Sequence, residues 1–230
     1  DLPLWNPYQL CGVTYLGVLQ GAVFYPPVLL FALISPAHAY SFYVMLHMLL
    51  GALFLMIFCR YLKISWLGSI AAAVTFLFCS NTVSHVFGPA YLANSIYFPL
   101  MLLFTLKIFE TGKTKWAFAL VLSVLLPLFA GWIQSLVYCV YALAAFVLAL
   151  LIRSMFKRSP EMNYVGRGLL LLTGSAILFF LLSAVQVLPV AELGIHSTRS
   201  FGEMSEDMVT INRTAIYGMF RIFFDMANSK

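Results

Sequence analysis

Long apolar stretches alternate with short basic ones along this chain. Residues 64–106 and 116–152 contain no Asp, Glu, Lys or Arg, and 168–191 is a third charge-free run. A helix crosses a bilayer in about 20 apolar residues, so each of the first two runs is long enough for two crossings. Periodicity and breaker residues predict helices at about 38–59, 66–84, 92–109, 116–131, 133–152 and 168–188, with Pro36 in the first turn of the first. The expected fold class is all-α, a polytopic transmembrane bundle with about six spans. Residues 1–37 are then a loop with juxtamembrane elements, 38–188 the six-helix membrane region, and 189–230 a second loop followed by the short, truncated apolar segment Ala215–Phe224.

Charge orients the bundle. No Lys or Arg precedes Arg60, and the basic residues then cluster as Arg60 with Lys63, Lys107 with Lys113 and Lys115, and Arg153 with Lys157, Arg158 and Arg167. Basic loops are retained on the cytoplasmic side, so 1–37 and 189–212 are expected outside a cell membrane that the chain crosses several times. Hydrophobic residues make up 63% and charged residues 9%, with mean hydropathy +0.96, values at which a soluble surface could not be covered. The pI of about 9.1 raises nucleic acid as a partner. Because the cations sit at the ends of apolar segments, they read instead as topology determinants in contact with membrane lipids. Cys11, Cys59, Cys79 and Cys139 show no paired spacing, which argues against a disulfide framework or a zinc site. Residues 1–37 lack the basic start and single apolar core of a signal peptide. A chain that opens with Asp1 on an outside loop reads as the middle of a longer protein.

Polar side chains collect on the expected outer side, where they are costly unless they face a wet cavity or one another. His85 lies one helical turn from Asn81 and beside Gly88-Pro89, which suits the mouth of a cavity or an ordinary interfacial position. His47 reads as a hydrogen-bonding residue of helix packing, and Gly51, Gly68 and Ala72 as small residues at helix contacts. Glu192 and His196 are spaced i,i+4, a pair suited to binding a divalent metal or sharing a proton, with no third ligand in sight; no cofactor is expected, and a divalent metal is possible but unsupported. Glu192 is either a site residue or a solvated loop acid. Arg199 and Arg213 depart from the rule that outside loops are poor in cations, and Arg199 meets either a phosphate or the lipid headgroups at the rim.

Three stretches resemble a known family. The run Leu2-Pro3-Leu4-Trp5-Asn6-Pro7-Tyr8, then Gly12, then Gln20-Gly21-Ala22-Val23-Phe24-Tyr25-Pro26-Pro27, resembles the first extracytoplasmic loop of the bacterial YfhO-like membrane proteins, a branch of the GT-C glycosyltransferases. Gly131-Trp132-Ile133-Gln134 is similar to that family's Gly-His-Pro-Gln turn. Ala184-Val185-Gln186-Val187-Leu188-Pro189, with Glu192, Ser197 and Arg199 after it, is similar to the close of a later helix. The resemblance covers roughly residues 1–200 in matching order and spacing.

It implies a GT-C-like fold and an inverting transfer of sugar from a polyprenyl-phosphate sugar donor to a cell-envelope glycan acceptor outside the cytoplasmic membrane. It also implies a carboxylate base upstream of the Pro-Leu-Trp-Asn run; Asp1 matches a variable acidic position, so the catalytic residue is expected before residue 1, with Glu192 and His85 as weak candidates inside the chain. Trp5, Asn6, Tyr25, Gln134, Gln186 and Arg199 are the candidate substrate-binding residues. Trp5, Asn6 and Tyr25 equally suit a juxtamembrane cap and the interfacial aromatic belt. Trp132-Ile133 departs from His-Pro and leaves Gln134 to carry any polar role of that turn. A transporter or lipid-linked sugar flippase is the alternative, expected to show an inverted repeat or helices broken near the midplane, and a non-catalytic scaffold is the third reading.

Overall fold

The computed structural model describes residues 5–8, 12–156 and 164–195. Two short strands, β1 (Trp5–Asn6) and β2 (Val13–Thr14), pair antiparallel with Trp5 opposite Thr14. Gly12 makes the return possible: its φ is +112°, and a Cβ there would lie 2.3 Å from the Trp5 ring. Two 3₁₀ turns, Leu19–Gly21 and Pro26–Leu29, lead into α1 (Leu30–Leu33). The remaining helices are α2 (Pro36–Tyr61), α3 (Trp66–Phe78), α4 (Ser80–Ser84), α5 (Pro89–Ser95), α6 (Phe98–Thr111), α7 (Thr114–Ala130), α8 (Ile133–Phe156) and α9 (Val165–Ile195).

The chain is an all-α helical bundle of a membrane protein. Five segments are long and apolar enough to cross: Pro36–Tyr61, Trp66–Ser84, Ala90–Thr111, Ile133–Phe156 and Val165–Ile195. The sixth expected span is α7, whose 17 residues reach only about 25 Å at 1.5 Å per residue, against a hydrocarbon core of about 30 Å. It lies inside the bundle, packed by α5, α6, α8 and α9, so its Gly131 end, which meets Leu19, need not reach the headgroups. Glycines in the left-handed region close the helices on either side of its two turns, Gly112 at φ +60° after α6 and Gly131 at φ +98° after α7.

Successive spans, with α7 counted among them, run in opposite directions. All seven Lys and Arg among the described residues therefore fall at one end of the bundle, the basic end, with the β1–β2 pair and the segment 12–35 at the other.

Two expected spans are broken. The span 66–84 kinks at Cys79, where ψ is 148°; the Thr82 hydroxyl donates to the Phe76 carbonyl at 2.8 Å and replaces a lost helical bond. The span near 92–109 breaks at Ile96–Tyr97, because Pro99 has no N–H to continue the ladder and occupies the first turn of α6 instead. Pro189 does not end α9, which runs on to Ile195, and α7 runs through Pro127. The Pro127 carbonyl, near the end of α7, accepts the Asn94 amide at 2.9 Å.

The segment 19–33, expected as an outside loop, sends Ala22 and Tyr25 into the bundle, while its last residues, Phe31–Leu33, stay exposed. Ala22 and Tyr25 belong to the same buried cluster as Ile96, Tyr97, Met101, Leu125 and Leu128. Irregular backbone is tolerated at such a place only because protein surrounds it. Gly51 serves as a helix contact, since a Cβ would come within 2.9 Å of Ile96 and Phe76.

Candidate functional site

Three stretches distant in sequence meet at the end opposite the basic residues. The Gly131 turn lies directly on the incoming segment: a Cβ at Gly131 would be 2.3 Å from the Leu19 carbonyl oxygen, and the Phe24 and Phe129 rings are 5.6 Å apart. From α9, the buried Gln186 amide donates to the Leu16 carbonyl at 2.7 Å, and Leu193 packs on Gly17.

Beneath these contacts lies a hydrogen-bond chain. His47 is fully buried, about 16 Å along α2 from its start at 1.5 Å per residue. Its Nδ1 lies 2.6 Å from the Tyr43 carbonyl, which can only accept, so Nδ1 carries the proton and Nε2 is an acceptor. Tyr25 Oη therefore donates to Nε2 at 2.6 Å, and accepts from Tyr97 Oη at 2.9 Å. Every ring nitrogen of His47 is engaged. The chain is a clamp that ties the segment to α2 and to the break before α6.

The surface of this end is aromatic and half-exposed. The His85 ring stacks on Tyr91 at 3.6 Å, with Ser84 Oγ 3.1 Å from its Nδ1, and Tyr91 meets Trp132 edge-on at 6.2 Å. Tyr40 donates to the Val86 carbonyl at 2.8 Å and holds the turn that carries His85.

The expected site residues divide by position. Tyr25 and Gln186 are interior, each holding the 12–35 segment to a helix. Trp5 and Asn6 form β1, not a helix cap; Asn6 Oδ1 accepts from the Tyr8 N–H at 3.0 Å, and Trp5 is 59% exposed. Gln134 is exposed on the first turn of α8 and donates to Tyr138 Oη at 3.0 Å. Glu192 is exposed on the last turns of α9, so this segment is helix and not the loop that was expected. Arg199, His196 and Arg213 lie outside the described residues. Among the described residues no three His, Cys, Asp or Glu side chains converge. Sequence reasoning did not single out Tyr43 or Tyr97. Their signal was a phenol inside an otherwise apolar run, with Tyr43 at i,i−4 from His47.

The basic end is organised differently. Lys107 Nζ lies 4.1 Å from the Trp116 ring centre and 4.8 Å from Tyr61, and the Arg60 guanidinium is 4.6 Å from the Trp66 ring. Such pairs suit the headgroup level, where an aromatic body and a cation are both accommodated. Tyr61 Oη donates to Glu110. Comparison with protein-family models, curated proteins and solved structures returns no match for this chain.

Proposed function

We propose that the protein is a membrane glycosyltransferase that takes a sugar from a polyprenyl-phosphate donor and passes it to a cell-envelope glycan acceptor on the extracytoplasmic side. The observation that carries this reading is the convergence of the three stretches that resemble YfhO-like proteins. The loop up to Pro27, the Gly131-Trp132-Ile133-Gln134 turn and the Gln186-to-Glu192 helix end come together at one end of the bundle, through Leu19, Leu16 and Gly17. In this reading His85, Tyr91 and Trp132 offer aromatic faces and an imidazole to the sugar. Glu192 orients its hydroxyls, and Arg199 neutralises the donor phosphate.

A second reading, a transporter or flippase of lipid-linked sugar, is favoured by the breaks at Cys79 and Ile96–Tyr97, since discontinuous helices are frequent in such proteins. A radiolabelled, photoreactive polyprenyl-phosphate sugar in proteoliposomes tests both. The transferase reading predicts saturable labelling of the peptides around His85, Trp132 or Glu192, competed by unlabelled donor, with no movement of donor between leaflets. Labelling that unlabelled donor does not reduce overturns it, and donor movement between leaflets supports the flippase.

A further inference from the structure

A cleft of about 640 Å³ opens at the basic end, far from the contacts just described. It lies where α2, α6 and α8 all finish. Its walls bring together Lys63, which follows α2, and Arg153, from the last turn of α8, with Glu110 near the end of α6 and the apolar Leu62 and Leu106. The volume is in the range that ligand pockets occupy, about 300–1,000 Å³.

Three features of the cleft select its ligand. The first is charge: among the described lining residues Lys63 and Arg153 carry positive charge and Glu110, whose carboxylate accepts the Tyr61 hydroxyl, a single negative one. Two cations converging on one cleft suit an anionic group. The second is the backbone of Lys63, which sits at φ +62°. That position follows a helix end, where glycine is the residue without strain. A lysine kept there holds its ammonium at the cleft against a conformational cost, and strain of this kind points to function when a site lies beside it. The third is location. Leu62 is 47% exposed and Ile152, next to Arg153, is 46% exposed, so the cleft adjoins helix surface that faces hydrocarbon. A ligand with an anionic head and an apolar body meets both environments at once.

We infer that this cleft binds the phosphate group of an anionic phospholipid, with Lys63 and Arg153 as the phosphate contacts and Leu62 and Leu106 against the chain below the head. Arginine supplies a planar pair of donors and lysine a point charge, a combination suited to a phosphodiester. The site stands independently of the transfer reaction proposed above, since it is built from the opposite end of the bundle.

Native mass spectrometry of the protein released from nanodiscs, and titration in neutral detergent, provide the test. Dioleoyl phosphatidylglycerol, dioleoyl phosphatidylcholine and inorganic phosphate are the probes. The wild-type protein retains phosphatidylglycerol in preference to phosphatidylcholine. Lys63→Gln with Arg153→Gln weakens that binding about tenfold, a factor that corresponds to 1.4 kcal/mol. Lys113→Gln with Lys115→Gln, which removes the same charge outside the cleft, leaves it unchanged. Equal losses in the two double variants reduce the effect to general attraction by the basic end and overturn the site. Displacement of the lipid by millimolar phosphate overturns the lipid as its source. Lys63→Gly guards against a folding artefact: glycine relieves the strained φ, so this variant melts no lower than wild type while losing phosphatidylglycerol. Unchanged binding by Lys63→Gly overturns the inference.

Discussion

Tyr25→Phe removes one oxygen atom and strands two partners. His47 Nε2 loses its donor at 2.6 Å and Tyr97 Oη its acceptor at 2.9 Å, both inside the bundle. Leaving a buried polar group unpaired costs about 1–3 kcal/mol, so two such groups set an upper range of about 2–6 kcal/mol. Hydrogen bonds between transmembrane helices measure nearer 0.6 kcal/mol on average, because the unfolded state in a membrane also finds partners, which puts the expected loss toward the lower end, about 2 kcal/mol. Tyr97→Phe is milder. It removes one bond accepted by Tyr25, while the Tyr25–His47 bond survives, for a cost of about 1 kcal/mol. Reversible unfolding in mixed micelles, followed by circular dichroism, ranks the two variants, and the double variant closes a cycle. The cycle predicts that Tyr97→Phe adds little once Tyr25 is Phe, because neighbours in one network are not additive. A Tyr97→Phe variant as damaging as Tyr25→Phe, or strict additivity, would refute the directional chain and its assignment of His47 Nδ1–H.

Two further substitutions test the packing. Gly131→Ala forces a side chain into the left-handed region and onto the Leu19 carbonyl, with its Cβ 2.3 Å from that oxygen; a loss of at least about 2 kcal/mol and faster proteolysis within 12–35 are expected, and wild-type behaviour in both assays would mean the turn does not seat the segment. Thr105 Oγ1 is buried with no hydrogen-bond partner among the described residues, so Thr105→Val raises the unfolding free energy by about 1 kcal/mol in the same micelle assay, and a fall would show that the hydroxyl is satisfied in solution.

The spans were legible because exclusion of charge over a whole membrane thickness has few other causes. That the cations share one end of the bundle was legible from the spacing of Arg60, Lys107, Arg153 and their neighbours between those spans. The breaks were not legible. Cys79 carries no backbone signal of its own, and its kink depends on the Thr82 hydroxyl reaching Phe76. Pro99 announces the start of α6, yet the apolar run passes through it without interruption. Pro189 misled in the opposite sense, because a helix can absorb a proline near its end. The largest difference concerns 19–33, where Pro26-Pro27 and Gln20-Gly21 suggest a surface loop. Its burial is decided by partners 22 and 72 residues from Tyr25, and 170 residues separate Gln186 from Leu16; such distances leave no local pattern. The cleft at the basic end was hidden similarly, since Lys63 and Arg153 each looked like an ordinary topology cation.

Extracytoplasmic sugar transfer at the proposed site requires that the end carrying segment 12–35 faces out. Single cysteines at Ala37, exposed at the start of α2, and at Thr114, exposed at the start of α7, would be placed in a background lacking Cys11, Cys59, Cys79 and Cys139, and treated in intact cells with a membrane-impermeant thiol reagent. Ala37→Cys is expected to react at once and Thr114→Cys only after permeabilisation. The reverse pattern would place the YfhO-like stretches in the cytoplasm and contradict an extracytoplasmic sugar transfer there.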